Sequence, residues 1–296
     1  MYQENITNLL QKMYGLIADK PDYVNESVTL SNALQNLEQV ESSNKDTFDL
    51  LDLALYMSPI VSKDPAHQDL LEVVSRIITL EGQHLRSKQL SKFKGLYVII
   101  DPEITNGRDP FLIAEAAVRG GAKILQLRDK LSDKGVILEL AYKIQELCEN
   151  TEAVLIVNDH ADIARAVGSF GLHVGQTDLT VEASRAVLNT GQHIGRSNRE
   201  LEQLEESQLL EIDHVAFGPM FSTNTKQIDR EPQGIDRLKS ARKVSGKPLV
   251  AIGGINIDNI GMVIDCSPEA ICVTGAVGLA KNPESSALAL SKRMGY

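Results

Sequence analysis

Apolar positions change their period near residue 95. Before that point they recur at helical spacing: Ile6, Leu9, Leu10, Met13 and Ile17, then Leu30, Leu34, Leu37 and Val40. Such spacing lines up one face of an α-helix. A third helix is predicted over 49–57, stopped at Ser58-Pro59 because the residue before proline avoids the α region. A fourth runs from Asp69 to about Leu85, with Leu70, Val73, Val74, Ile77, Ile78 and Leu80 inward. From Gly95 the chain turns to short aliphatic runs separated by helical patterns. Strands are predicted at 96–100, 124–127, 154–158, 171–174, 193–195, 214–217, 249–252 and 270–273. Helices are predicted at 110–119, 134–148, 161–167, 181–188, 199–209, 234–244, 257–264 and 285–293.

Eight β/α repeats in about 200 residues predict an α/β chain closed as a (β/α)8 barrel. An open doubly wound sheet is the competitor, but no Gly-x-Gly-x-x-Gly follows the first strand. The expected organisation is a small all-α N-terminal domain, residues 1–90, then a barrel domain, residues 91–296. Arg86 to Lys94, with four cations, reads as a linker. The helical segment carries no metal-ligand spacing, glycine-rich loop or catalytic pair. A docking, oligomerisation or regulatory module is the expectation for it, which leaves room for a homo-oligomer.

Barrel chemistry gathers at the C-terminal ends of the strands, and here those ends are polar or glycine-rich. After strand two, Gln126, Arg128 and Lys130 fall on one face and Leu127 and Asp129 on the other. Strand three ends in Asn158-Asp159 and strand four leads to Gly175-Gln176-Thr177-Asp178. Strand five ends in Gly195-Arg196-Ser197-Asn198, and strand six opens a long loop holding Thr223, Thr225 and Lys226. Gly253-Gly254 and Thr274-Gly275 follow strands seven and eight, where barrels commonly take phosphate on backbone N–H groups. Asp159 and Asp178 on adjacent strands could share a hard cation such as Mg²⁺. Either one alone is more simply a helix N-cap.

Composition narrows the function. A formal charge of −10 argues against a general nucleic-acid binder, and the lack of Trp argues against base-stacking platforms. Cys148, Cys266 and Cys272 complete no zinc set and, as thiols, fit a cytoplasmic protein. Neither a signal peptide nor a membrane-spanning run is expected. Small-molecule substrates remain as the expected partners, with neither nucleic acid nor membrane.

From about Gly95 onward the ordered blocks resemble the thiamine phosphate synthase family. They are Gln126-x-Arg128-x-Lys130, Val157-Asn158-Asp159, Gly171-Leu172-His173-Val174-Gly175-Gln176-x-Asp178, Gly218-Pro219 leading to Thr223-x-Thr225-Lys226, and Ala251-Ile252-Gly253-Gly254-Ile255. The resemblance implies a TIM barrel that joins a hydroxymethylpyrimidine diphosphate to a thiazole phosphate and releases diphosphate. It implies that Gln126, Arg128, Lys130 and Asn158 hold the pyrimidine diphosphate, and that Ser197 faces the pyrimidine. Asp159 and Asp178 would bind Mg²⁺. Thr223 and Thr225 would contact the thiazole phosphate and Lys226 the diphosphate. Gly254, Thr274 and Gly275 would complete the thiazole-phosphate site. Lys130, Ser197 and Lys226 are the expected catalytic residues. Two departures stand out: Arg196-Ser197-Asn198-Arg199 lacks the His usual two residues after the Ser, and Ser222 replaces a common Pro before Thr223. A thiazole tautomerase-like isomerase and a non-catalytic precursor sensor are the alternatives.

Overall fold

The computed structural model describes residues 82–222 and 231–295, with eight isolated positions before them. The helical bundle expected over 1–90 falls almost wholly outside the described residues, as do Thr223, Thr225 and Lys226. The chain divides into two compact units, Met1–Leu85 and Arg86–Tyr296.

The second unit is a closed barrel of eight parallel strands in sequential order. The strands are β1 Gly95–Ile100, β2 Ile124–Leu127, β3 Val154–Asn158, β4 Gly171–Val174, β5 His193–Asn198, β6 His214–Phe217, β7 Leu249–Ile252 and β8 Ala270–Val273. Between and after them lie α1 Pro110–Arg119, α2 Lys134–Glu149, α3 Ala161–Val167, α4 Val181–Val187, α5 Leu201–Gln208, α6 Gly234–Val244, α7 Ile260–Ile264, α8 Gly275–Gly278 and α9 Pro283–Arg293. Helix starts carry their own chemistry: Asp109 accepts from the Phe111 amide ahead of Pro110, and Thr180 and Asn282 cap α4 and α9 in the same way.

The strands read as continuous apolar runs because both faces are buried. Leu96, Val98, Ile100, Leu125, Leu155 and Val157 join the layer between sheet and helices. Tyr97, Ile99, Ile124, Ile156, Ala216 and Cys272 point into the barrel, where Phe93 packs among them. β5 runs three residues beyond its expected end. Arg196, Ser197 and Asn198 pair with Val215, Ala216 and Phe217, and the buried Asn198 amide is satisfied by Arg196 O, Ala216 O and Ser207. Polar residues can extend a strand where each group finds a partner.

The stretch Arg86–Lys94, expected as a linker, is structured. Residues 82–89 are helical, and Phe93 is 1% exposed. Arg86 is buried because its guanidinium reaches Asp213 Oδ1, Glu211 Oε1 and Thr190 O, each at 2.8 Å. Arg185 joins the same network through Asp213, Gln192 O and Glu211 O. These groups close the N-terminal end of the barrel.

Candidate active site

The opposite, C-terminal end opens into a cavity of about 730 Å³. Its walls come from all eight strands, and the polar rim follows strand order.

Gln126 is buried inside β2, and its Nε2 donates to the Tyr97 hydroxyl at 2.5 Å. Burial pushes the Tyr97 phenol well above its usual range, with Cys272 adding to the rise; it stays a neutral hydroxyl. This bond fixes the carboxamide and leaves its carbonyl as the remaining acceptor. Arg128 and Lys130 line the same cavity. The alternation places Asp129 away from them, where it accepts from the Leu131 and Ser132 amides at 3.0 and 2.9 Å and shapes the turn.

Both cations are paired. Arg128 Nη1 donates to Asp101, which is 4% exposed and sits directly after β1. Lys130 Nζ donates to Asp159. Asp101 lines the cavity beside Arg128 and is absent from the sequence-based candidates, although the rim criterion reaches it as readily as it reaches Asp159.

Asp159 and Asp178 do not cap helices. α3 begins after His160 without a side-chain cap, and α4 is capped by Thr180. Asp178 accepts from the Gly175 amide at 2.7 Å. The two carboxylates lie within interaction range of one another. Burial pushes Asp159 above its usual range; Lys130 opposes the rise and the Asp178 carboxylate adds to it. Asp159 holds a left-handed backbone (φ 60°), a conformation that Asp tolerates better than most residues. Two carboxylates brought together in this way have the chemistry to share a dication. Among the described residues no cluster of three or more His, Cys, Asp or Glu could hold a metal ion.

Ser197 Oγ lies 2.8 Å from His173 Nε2. Burial pushes the His173 imidazole down to about 4, partly opposed by Asp178. It is neutral near pH 7 and serves Ser197 as a fixed hydrogen-bonding partner. Gln176 ties the neighbouring backbone, donating to Ser197 O at 2.7 Å. His173 and Tyr97 form the polar floor beneath the rim. Sequence alternation alone could place them inside the barrel, but not on Ser197 and Gln126.

Gly254, Thr274 and Gly275 line the far wall with Asn158 and Arg199 elsewhere on the rim. A Cβ on Gly254 would sit 2.5 Å from Ser222 O, and the residue has φ +67°, so only glycine lets the β6 and β7 loops approach so closely. Gly275 starts the short helix α8, whose first amides lack intrahelical acceptors. The cavity thus collects Gln126, Arg128, Lys130, Asn158, Asp178, Ser197, Gly254, Thr274 and Gly275, with Asp159 joined through Lys130.

Comparison with known proteins agrees with this geometry. Residues 96–277 match the family model for thiamine monophosphate synthase (TMP-TENI). This chain belongs to the thiamine monophosphate synthase family. It is 37% identical over 199 residues to a thiamine-phosphate synthase of Shouchella clausii, covering 67% of this chain and 95% of that one. A Thermosynechococcus vestitus thiamine-phosphate synthase is 35% identical over 223 residues, covering 75% of this chain and 62% of that protein. The solved thiamine phosphate pyrophosphorylase of Pyrococcus furiosus superposes with a TM-score of 0.65 at 28% identity, covering 70% of this chain and 98% of that one. Membership places the (β/α)8 barrel with its relatives. Among the described residues no helix is long and apolar enough to cross a membrane.

Proposed function

We propose that this thiamine-phosphate synthase, a transferase, joins 4-amino-2-methyl-5-hydroxymethylpyrimidine diphosphate to 4-methyl-5-(2-phosphooxyethyl)thiazole. The products are thiamine phosphate and diphosphate, and Asp159 and Asp178 hold Mg²⁺. The observation that carries the reading is the cavity rim. Two cations after β2, Asp178 after β4 and glycine turns after β7 and β8 line one space, and Asp159 after β3 joins it through Lys130. That is a place for two phosphorylated molecules and a dication.

The reaction breaks the bond from the pyrimidine methylene carbon to the diphosphate oxygen, which keeps both electrons. A bond then forms from the thiazole nitrogen lone pair to that carbon. No proton needs to be removed, so a neutral buried His173 is no handicap. The electron-rich pyrimidine favours a dissociative, carbocation-like path. Arg128 and Lys130 would oppose the charge growing on the leaving oxygen. Lys130 is bound to Asp159 here. Diphosphate entry would draw Lys130 away from Asp159, which with Asp178 would be the residue to hold the cation. When bound, Mg²⁺ would supply further neutralisation of the phosphoryl oxygens. Gln126 and Ser197, fixed by Tyr97 and His173, would orient the uncharged pyrimidine. Gly254, Thr274 and Gly275 would take the thiazole phosphate, joined by Thr223 and Thr225, while Lys226 would reach the diphosphate.

The test is diphosphate release by the full chain with each substrate alone and with both. Release is expected only with both substrates and is abolished by EDTA. No release at saturating Mg²⁺ overturns the reading. Isomerisation of a thiazole phosphate without pyrimidine would assign a tautomerase instead.

A further inference from the structure

Arg199 is the sequence departure that the proposed reaction leaves unused. It follows β5, is half-buried and lines the cavity. Its backbone amide donates to Gln203 Oε1 at 2.8 Å, beside the capping box that starts α5. The helix start therefore fixes its place on the rim. Among the described residues the other cations nearby already have partners. Arg128 has Asp101, Lys130 has Asp159, and Arg196 spends its guanidinium on Ser207 and Gln176. Among the described residues the Arg199 guanidinium has no such partner. A guanidinium offers five N–H donors in a fork suited to phosphoryl oxygens.

Strand order places it next to the β4 carboxylate. Arg128 and Lys130 follow β2, Asp159 follows β3, Asp178 follows β4, and Arg199 follows β5, which pairs directly with β4. It continues the arc of cations and carboxylates by one strand. The glycine turns of the thiazole-phosphate wall begin only at β7, two strands further on.

We propose that Arg199 is a further substrate-binding residue, a second guanidinium for the diphosphate group. The proposal rests on the reading of this rim as a diphosphate site. It is tested on the full chain by titrating inorganic diphosphate with Mg²⁺ and by measuring KM for each substrate. Arg199→Gln is expected to weaken diphosphate binding about ten-fold, the scale of one hydrogen bond to a charged group. KM for the pyrimidine diphosphate rises while KM for the thiazole phosphate stays within about two-fold, and Arg199→Lys recovers part of the loss. Wild-type diphosphate affinity in Arg199→Gln, with weakened binding in Arg128→Gln, overturns the assignment of Arg199 and leaves the site standing. A rise confined to the thiazole-phosphate KM overturns it as well. Wild-type affinity in both variants overturns the diphosphate reading of the rim itself.

Discussion

The two ends of the barrel use the same residue types for different purposes. At the N-terminal end, Arg86 and Arg185 converge on Asp213 and Glu211, and each guanidinium also reaches backbone carbonyls. Asp213 accepts in addition from the Ile194 amide at 2.8 Å. Phe93 seals this end, stacked with Phe170 at 6.3 Å and tilted against His214 at 4.1 Å. At the C-terminal end, Arg128 pairs with Asp101 and Lys130 with Asp159 among the described residues, and both cations line a cavity. Buried charges whose donors are all used stabilise a shape. Charges with donors to spare beside a cavity are available to a ligand. Ion pairing by itself does not separate the two cases; the count of partners and the access to solvent do.

The comparison breaks most visibly if Asp213→Ala is harmless. The substitution strands two buried guanidinium groups and the Ile194 amide, and a cost of about 3–5 kcal/mol is expected in denaturant unfolding. Turnover per folded molecule should stay near wild type. Asp178→Asn at the open end should do the reverse. A loss in kcat of roughly 10²–10³-fold is expected, with a small change in thermal midpoint. Wild-type turnover at saturating Mg²⁺ would remove the cation role from this carboxylate.

Acid should act on stability through the buried histidines. Burial holds His173 and His193 down to about 4 and lowers His214 as well. An unfolded histidine protonates near pH 6.5, so between pH 6.5 and about 4 the unfolded chain binds more protons than the folded one. Stability is complete above pH 6.5 and falls as the pH drops, by up to ~1.4 kcal/mol per pH unit for each imidazole. Around His193 the facing groups are Asp213, which favours its charged form, and Arg86 and Arg185, which oppose it. Denaturant unfolding at pH 7 and pH 5 measures the effect; equal stabilities would show that these rings titrate normally. The smallest expected change is Tyr97→Phe. It deletes the acceptor of the Gln126 amide and should cost about 1 kcal/mol in kcat/KM for the pyrimidine substrate. An unchanged value would mean that Gln126 needs no support from the floor.

Much of the barrel was legible in the residues. β2, β3, β4, β6, β7 and β8 match their predicted spans because strands buried on both faces are unbroken aliphatic runs. β5 was read short since Arg196-Ser197-Asn198 carries no apolar signal, although every pairing partner is in place. α7 begins at Ile260 rather than Ile257 because Asn259 Oδ1 accepts from the Asn256 amide at 2.8 Å and holds a turn there. The rim could be listed from strand ends alone. Which cation meets which carboxylate could not, because the pairs form between different strands.

The sequence by itself determined the repeat, the rim and the family, since these follow from local period and from ordered short motifs. Only the tertiary structure decided that Arg86 belongs to the barrel, because Asp213 lies 127 residues away along the chain. It also decided that Asp159 and Asp178 face each other instead of capping helices, and that Arg199 stands on the arc beside Asp178 without a carboxylate partner among the described residues. Such pairings depend on closing the sheet, which brings strand ends together regardless of their distance in sequence. Local pattern names the side chains, and the closed ring of strands assigns their neighbours.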